Sequence, residues 1–212
     1  MYAIQLRLMD RHCIVLGGGR VAQRKVRPLL AEGALIEVIA PALCGELQQL
    51  AAAGKIRWRA AGYTAGCLAG AFLGFCATDD LAVNAAAAAE AQRQGSLVNV
   101  AAPPEQSDFQ VPASIRRGRL QLTVSTGGAS PAFSRLLRER LEREYGRVYG
   151  EWLECLERLR AELRKRPGTS REREHFWRQI LTEDILALVE QGKLEEAEAE
   201  VRNAINGFGT QS

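Results

Sequence analysis

Nowhere in the 212 residues do apolar side chains run unbroken for the roughly 18 positions that a membrane-crossing helix requires. The opening stretch, MYAIQLRLMDRHC, also lacks the apolar centre of a secretion signal. Neither sign of charge dominates. Twenty-eight basic against 25 acidic residues leave a net charge of +3, too little to argue for nucleic acid or an anionic membrane surface as partner. Histidine is scarce, with His12 and His175 alone, and none of the five cysteines (Cys13, Cys44, Cys67, Cys76, Cys155) pairs with another at CxxC spacing. A preformed zinc site is therefore not expected, and the thiols read as reduced and mostly buried. These absences predict a cytoplasmic protein with no resident metal, no nucleic-acid partner and no membrane association.

What is present is a globular composition, 47% hydrophobic and 25% charged. Apolar runs of strand length recur through about residue 100: CIVLG (13–17), LIEVIA (35–40), KIRWRA (55–60), GAFLGFCA (70–77) and SLVNVA (96–101). Helical patterns fall between most of them, at 20–32, 43–53 and 80–94. Such alternation predicts an α/β fold, a parallel sheet with helices on both faces. Pro28 stands inside the first of these helices, where it should remove a hydrogen bond and kink the backbone.

The rhythm changes after Pro103-Pro104. DFQVPASIRRGRLQLTVSTGG reads as two strands joined near Arg117-Gly118, a hairpin. In the following segment, SPAFSRLLRERLEREYG, Ser130 is placed as N-cap and Pro131 as the first helical residue. From Tyr149 the chain is helical and charged, with a break at Pro167-Gly168 and Ser170 expected to cap the next helix. Boundaries are expected near 112 and 148. The basic residues of the tail are interleaved with glutamates, which fits a solvated helical face better than a nucleic-acid surface.

CIVLGGGRVAQRK (13–25) carries the most chemistry. Its spacing is Gly17-x-Gly19-x-x-Ala22, a variant of the dinucleotide-binding turn. Gly17 permits the sharp exit from the strand, Gly19 leaves room for a pyrophosphate, and Ala22 lets helix and strand pack closely. The helix N-terminus, beginning at Arg20 and Val21, offers unpaired N–H groups to phosphates. At the end of the second strand, where an acid usually binds the adenosine ribose, stand Ala40, Pro41 and Ala42; Glu37 lies too early in the strand. The turn thus indicates a dinucleotide without choosing between NAD and NADP. CATDDLAVN places Thr78, Asp79 and Asp80 at the carboxyl edge of the sheet beside a ligand crevice, with Thr78 or Asp79 alternatively, or at the same time, capping the next helix. Candidate cofactor contacts are Gly17, Gly19, Arg20, Val21, Ala40, Pro41, Ala42, Thr78, Asp79 and Asn99.

Taken in order, GGGRVAQRKVRPLLAEGA, ATDDLAVN, NVAAPPEQSDFQVPA, LTVSTGGASPAFSRLLRERLE and REREHFWRQIL resemble the precorrin-2 dehydrogenase family, the module of siroheme synthesis found alone or fused to a methyltransferase. The resemblance implies a Rossmann-type NAD-binding domain (1–112), a small α+β dimerisation domain (113–148) and a helical C-terminal domain (149–212). It further implies NAD-dependent oxidation of precorrin-2 to sirohydrochlorin by a homodimer. Alternatives are a bifunctional dehydrogenase–ferrochelatase and a non-catalytic relative that binds NAD or tetrapyrrole.

A tetrapyrrole rich in carboxylates calls for cationic partners, which Arg116, Arg117, Arg119, Arg135 and Arg138 could supply. The resemblance places Ala102, Arg117, Thr126, Gly127, Gly128, Ser130 and Arg135 toward the substrate. The family's aspartate after NV falls on Ala102, which can neither accept a proton nor ligate iron. Three readings stay open: an engineered change, another acid such as Asp108 or Asp79 taking the role, or binding without turnover. Asp108 is the candidate catalytic residue.

Overall fold

The five apolar runs become five parallel strands: β1 (His12–Leu16), β2 (Leu35–Ile39), β3 (Arg57–Arg59), β4 (Leu73–Cys76) and β5 (Leu97–Val100). Their order is β3-β2-β1-β4-β5, so β1 lies at the centre and the winding reverses beside it, between β1 and β4. In register, Val15 sits opposite Val38 on one side and Phe75 on the other. Side chains that alternate along each strand build two separate cores. Val15, Val38 and Phe75 pack beneath Ala22, Val26 and Leu29 of α1 (Arg20–Ala31) and Leu47 of α2 (Gly45–Ala52). Ile14, Leu16, Ile39 and Cys76 pack beneath Ala87, Ala88 and Ala91 of α3 (Leu81–Arg93), together with Cys67 and Leu68 from the turns that connect β3 to β4. The computed structural model describes residues 1–208, and the chain divides into two compact units, Met1–Val111 and Pro112–Ser212. The last four residues of the expected helical segment lie outside the described residues.

Pro28 does not end α1, which continues three residues beyond it to Ala31. Burial raises the thiols of Cys13, to about 11, and Cys76, to about 12, so both behave as inert apolar filling.

In the second unit, β6 (Ala113–Arg117) and β7 (Leu120–Val124) form an antiparallel pair with Ile115 opposite Leu122. The helix α4 (Pro131–Glu144) packs against both strands and starts as anticipated, with the Ser130 hydroxyl accepting from the Phe133 N–H. Four helices follow: α5 (Val148–Arg164), α6 (Ser170–Ile180), α7 (Glu183–Glu190) and α8 (Leu194–Gly207). Trp152, Cys155, Leu159 and Leu163 of α5 recur at helical spacing and bury against Ile185 and Val189 of α7 and Ala197, Val201 and Ile205 of α8.

One cap expected from the sequence is corrected. Thr169, not Ser170, caps α6, because its hydroxyl accepts from the Glu172 N–H while Glu172 reaches back to the Thr169 N–H.

Candidate functional site

The carboxyl ends of the strands are held level by a ladder that runs one residue past each. Gly17 N donates to Ile39 O at 2.9 Å, Ala77 N to Leu16 O at 2.8 Å, and Ala101 N to Cys76 O at 2.8 Å. Gly17, Ala40, Thr78 and Ala102 therefore come together along one edge, at the point where the winding of the sheet reverses. Gly17 has φ +117°, and a β-carbon there would collide with the Ala77 carbonyl. At Gly19 the same addition meets nothing within 4 Å. The first glycine is a requirement of the fold; the second borders open space.

Gly19 also precedes α1 as its N-cap, with extended backbone, no side-chain cap and no acid in the first turn. The leading N–H groups of α1, on Arg20 and Val21, are thus left for an external anion. Beside them, Cys44 N donates to Gly18 O at 2.8 Å and its thiol reaches Gln23 Oε1 at 3.4 Å, tying the loop after β2 to the glycine turn. That loop presents exposed Pro41 and Ala42, and no carboxylate stands at 40–42. Glu37 is buried within β2, where Arg59 Nε donates to its carboxylate at 2.8 Å and His12 lies 3.7 Å away.

Along the rest of the edge, several sequence expectations change. Asp80, rather than Thr78 or Asp79, caps α3: its carboxylate accepts from Ala82 N at 2.8 Å and Val83 N at 3.1 Å. Thr78 is engaged by Asn84, whose Oδ1 takes both the Thr78 N–H and hydroxyl and whose Nδ2 donates to Thr78 O. Asp79 is exposed at the edge. Asn99 is buried and engaged at both ends of its amide: its Oδ1 accepts from Lys25 Nζ at 2.8 Å, and its Nδ2 donates to Phe109 O at 2.9 Å. Lys25 also stands over the Phe75 ring, 5.7 Å from its centre, and burial lowers its pKa, with Arg24 adding to the effect.

Asp108 does not reach the carboxyl edge. Its carboxylate accepts from Val98 N at 2.9 Å and Gln92 Nε2 at 3.0 Å, beside the early part of β5. It closes the outer edge of the sheet, with Ser107 Oγ doing the same at Val100 N. Ala102 is exposed.

In the second unit, Arg117 is occupied by the end of α4. Its guanidinium donates to Tyr145 O at 3.0 Å, to Glu142 O at 3.1 Å and to Arg116 O at 3.0 Å, leaving the side chain 21% exposed. Thr126 turns inward, its hydroxyl accepting from Ser130 N and meeting Ser134 Oγ at 3.1 Å. Gly127 and Gly128 follow with positive φ and are exposed. Arg135 is 77% exposed and pairs with Glu139 one turn on, at 2.8 Å.

Lys25, Asn84 and Cys44 are the residues the sequence did not single out. Asn84 left a trace, as a polar residue on the apolar side of an alanine-rich helix. Lys25 left none, being one cation among Arg20, Arg24 and Arg27.

Three family models match the chain in succession. "Putative NAD(P)-binding" covers residues 4–113, "Sirohaem biosynthesis protein central" 117–144 and "Sirohaem synthase dimerisation region" 148–205. Siroheme synthases are similar along almost the whole chain: that of Methylococcus capsulatus is 41% identical across 98% of it, and that of Nitrosococcus oceani 38% across 96%. The chain spans 44% of the length of these two relatives. A solved structure described as "SirC, precorrin-2 dehydrogenase" superposes with a TM-score of 0.79 at 28% identity, covering 96% of this chain and 100% of the other. With these segments in this order, the first spanning more than half of it, the chain belongs to the family of siroheme synthase N-terminal modules and precorrin-2 dehydrogenases.

Proposed function

We propose that the protein oxidises precorrin-2 to sirohydrochlorin with NAD⁺, passing one hydride to the cofactor and releasing one proton. The open space at Gly19, next to uncapped N–H groups of α1, is the observation that carries the cofactor reading. The full-length likeness to a precorrin-2 dehydrogenase supports the substrate. Gly17, Gly19, Arg20 and Val21 would hold the pyrophosphate, Ala40, Pro41 and Ala42 would border the adenosine, and Asp79 would face the edge of the sheet. Bound there, NAD⁺ supplies the hydride acceptor. The protein's own part is to hold the dinucleotide rigidly, since Gly17 and the Gly18–Cys44 bond fix the turn before any ligand arrives.

For the tetrapyrrole carboxylates, Arg135 is the exposed cation we assign, with the Gly127–Gly128 turn and Ser130 beside it in sequence. Ala102 offers neither a base nor an iron ligand, so dehydrogenation is placed ahead of iron insertion. The match to a dimerisation region supports a homodimer. We keep the boundaries near 112 and 148 as the domain reading, and five free thiols suit the reducing cytoplasm.

Purified protein mixed with precorrin-2 and NAD⁺ should produce NADH and sirohydrochlorin in equal amounts. Absence of NADH overturns the proposal. Siroheme formed from sirohydrochlorin and ferrous iron without NAD would favour the bifunctional alternative.

A further inference from the structure

Residues 2–8 alternate strictly: Tyr2, Ile4, Leu6 and Leu8 are apolar, while Ala3, Gln5 and Arg7 are small or polar. This is the period of a strand with one face buried. Only Leu8 is covered, at 8% exposure, against 91% for Tyr2, 61% for Ile4 and 36% for Leu6. Among the described residues, no backbone group of residues 1–7 has a hydrogen-bond partner. The segment thus has a strand's pattern without a strand's partner.

The five-stranded sheet offers it no suitable edge. On the β5 side the groups are taken, with Val98 N and O bonded to Asp108 and Val100 N to Ser107. On the other side β3 is only three residues long, too short to pair with a seven-residue strand. The β6–β7 hairpin is different. It has two strands of five residues and an outer edge on each, an arrangement of marginal stability alone. Its two faces also alternate: Ile115 is buried and Ala113, Leu122 and Val124 are half-buried, whereas Ser114, Arg116, Gln121 and Thr123 are exposed. The helix packed on it, α4, covers one face of the pair and leaves both outer edges uncovered by a third strand.

We infer that residues 2–8 add as a third strand to the β6–β7 hairpin of a second copy of this chain. Tyr2, Ile4 and Leu6 then continue the apolar layer of Ile115 and Leu122, and Gln5 and Arg7 continue the polar face. Main-chain bonds give the affinity and the alternating side chains the register. A second copy is the occupant because the helices that follow in the same unit, residues 148–205, match a dimerisation region, and the inference rests on the homodimer reading above.

The test mixes ordinary and ¹⁵N-labelled full-length chains carrying a photo-cross-linking phenylalanine analogue at position 4, with mass measured by light scattering. Cross-links from position 4 to peptides of 113–124 should appear in mixed-isotope form. Deleting residues 2–7, which keeps the buried Leu8, should raise the dimer Kd at least tenfold. A dimer whose position-4 cross-links miss the hairpin, or join only peptides of one chain, overturns the strand addition and leaves the dimer standing. A dimer unweakened by the deletion does the same. A monomer at micromolar concentration overturns the dimer reading itself, and the strand addition with it.

Discussion

Lys25 Nζ donates to Asn99 Oδ1 at 2.8 Å, joining α1 to the last strand of the sheet across 74 residues of sequence. Asn99 passes the connection on to Phe109 O, so one half-buried cation organises the chain that leaves β5. Among the described residues no carboxylate pairs with this ammonium; an amide and the Phe75 ring take its place. Its charge is therefore carried at a cost, which gives a measurable pH dependence.

Burial lowers the folded pKa of Lys25 below its ordinary 10.5, so at alkaline pH the unfolded chain holds this proton more tightly than the folded one. Stability from this group rises as pH climbs through the folded value toward 10.5 and is flat below that window. The buried thiols of Cys13 and Cys76, raised above their ordinary 9.0, act in the opposite sense and are common to both proteins, so the Lys25 effect is read as a difference. The gap in chemical-denaturation midpoint between the protein and Lys25→Met should shift in favour of the unsubstituted protein as pH rises toward 10.5, and a gap that stays constant with pH would show that Lys25 does not cause it.

Gly17 and Gly19 should separate fold from function. Gly17→Ala places a β-carbon against the Ala77 carbonyl at positive φ, and should cost on the order of 1–3 kcal/mol in denaturant titrations. Gly19→Val meets no protein atom within 4 Å of its β-carbon, so the fold should survive while the branched side chain fills the pyrophosphate's space. Calorimetry should then detect at least a tenfold loss of NAD affinity. Unchanged affinity removes the cofactor assignment.

Asp108 and Ala102 divide structure from chemistry. Asp108→Ala leaves the buried Val98 N–H without its carboxylate acceptor and should cost about 1–3 kcal/mol of stability. Turnover with precorrin-2, measured well below the melting temperature, should be retained. Ala102→Asp places an acid where the sequence resemblance puts the family's aspartate, and should raise the dehydrogenase rate without changing NAD affinity; positioned acid–base groups typically contribute ~10²–10⁴-fold. If Asp108→Asn abolishes turnover while Ala102→Asp does nothing, Asp108 is the base after all.

Arg117 should behave as a cap of α4 rather than as a substrate ligand. Removing its guanidinium by Arg117→Ala strips charged donors from Tyr145 O and Glu142 O, and should lower stability by about 1.5–3 kcal/mol. Arg135→Ala should leave the melting temperature nearly unchanged, since its exposed pair with Glu139 is worth little, and raise the KM for precorrin-2. The reverse pattern would exchange the two roles.

The parallel sheet, the hairpin and the glycine turn were legible in the sequence because each rests on local chemistry. Alternation marks the strands, glycine at positions 17 and 19 marks the turn, and Ser130-Pro131 marks the start of α4. Caps were legible only to within a residue or two: Asp80 and Thr169 hold positions assigned to Thr78 or Asp79 and to Ser170, because neighbouring polar residues compete for the same N–H groups and backbone geometry chooses among them. Side-chain partnership was not legible at all. Nothing near Lys25, Asn99, Asp108 or Arg117 in the sequence reveals that they hold Asn99, Phe109, Val98 and the end of α4. Those roles depend on which groups the fold brings within 3 Å across tens of residues. The sequence by itself determined where strands, helices and the glycine turn lie, because hydrophobic period and backbone freedom act locally. Tertiary structure alone decided which polar residues remain free for a ligand, because a buried donor or acceptor takes the nearest partner that packing delivers.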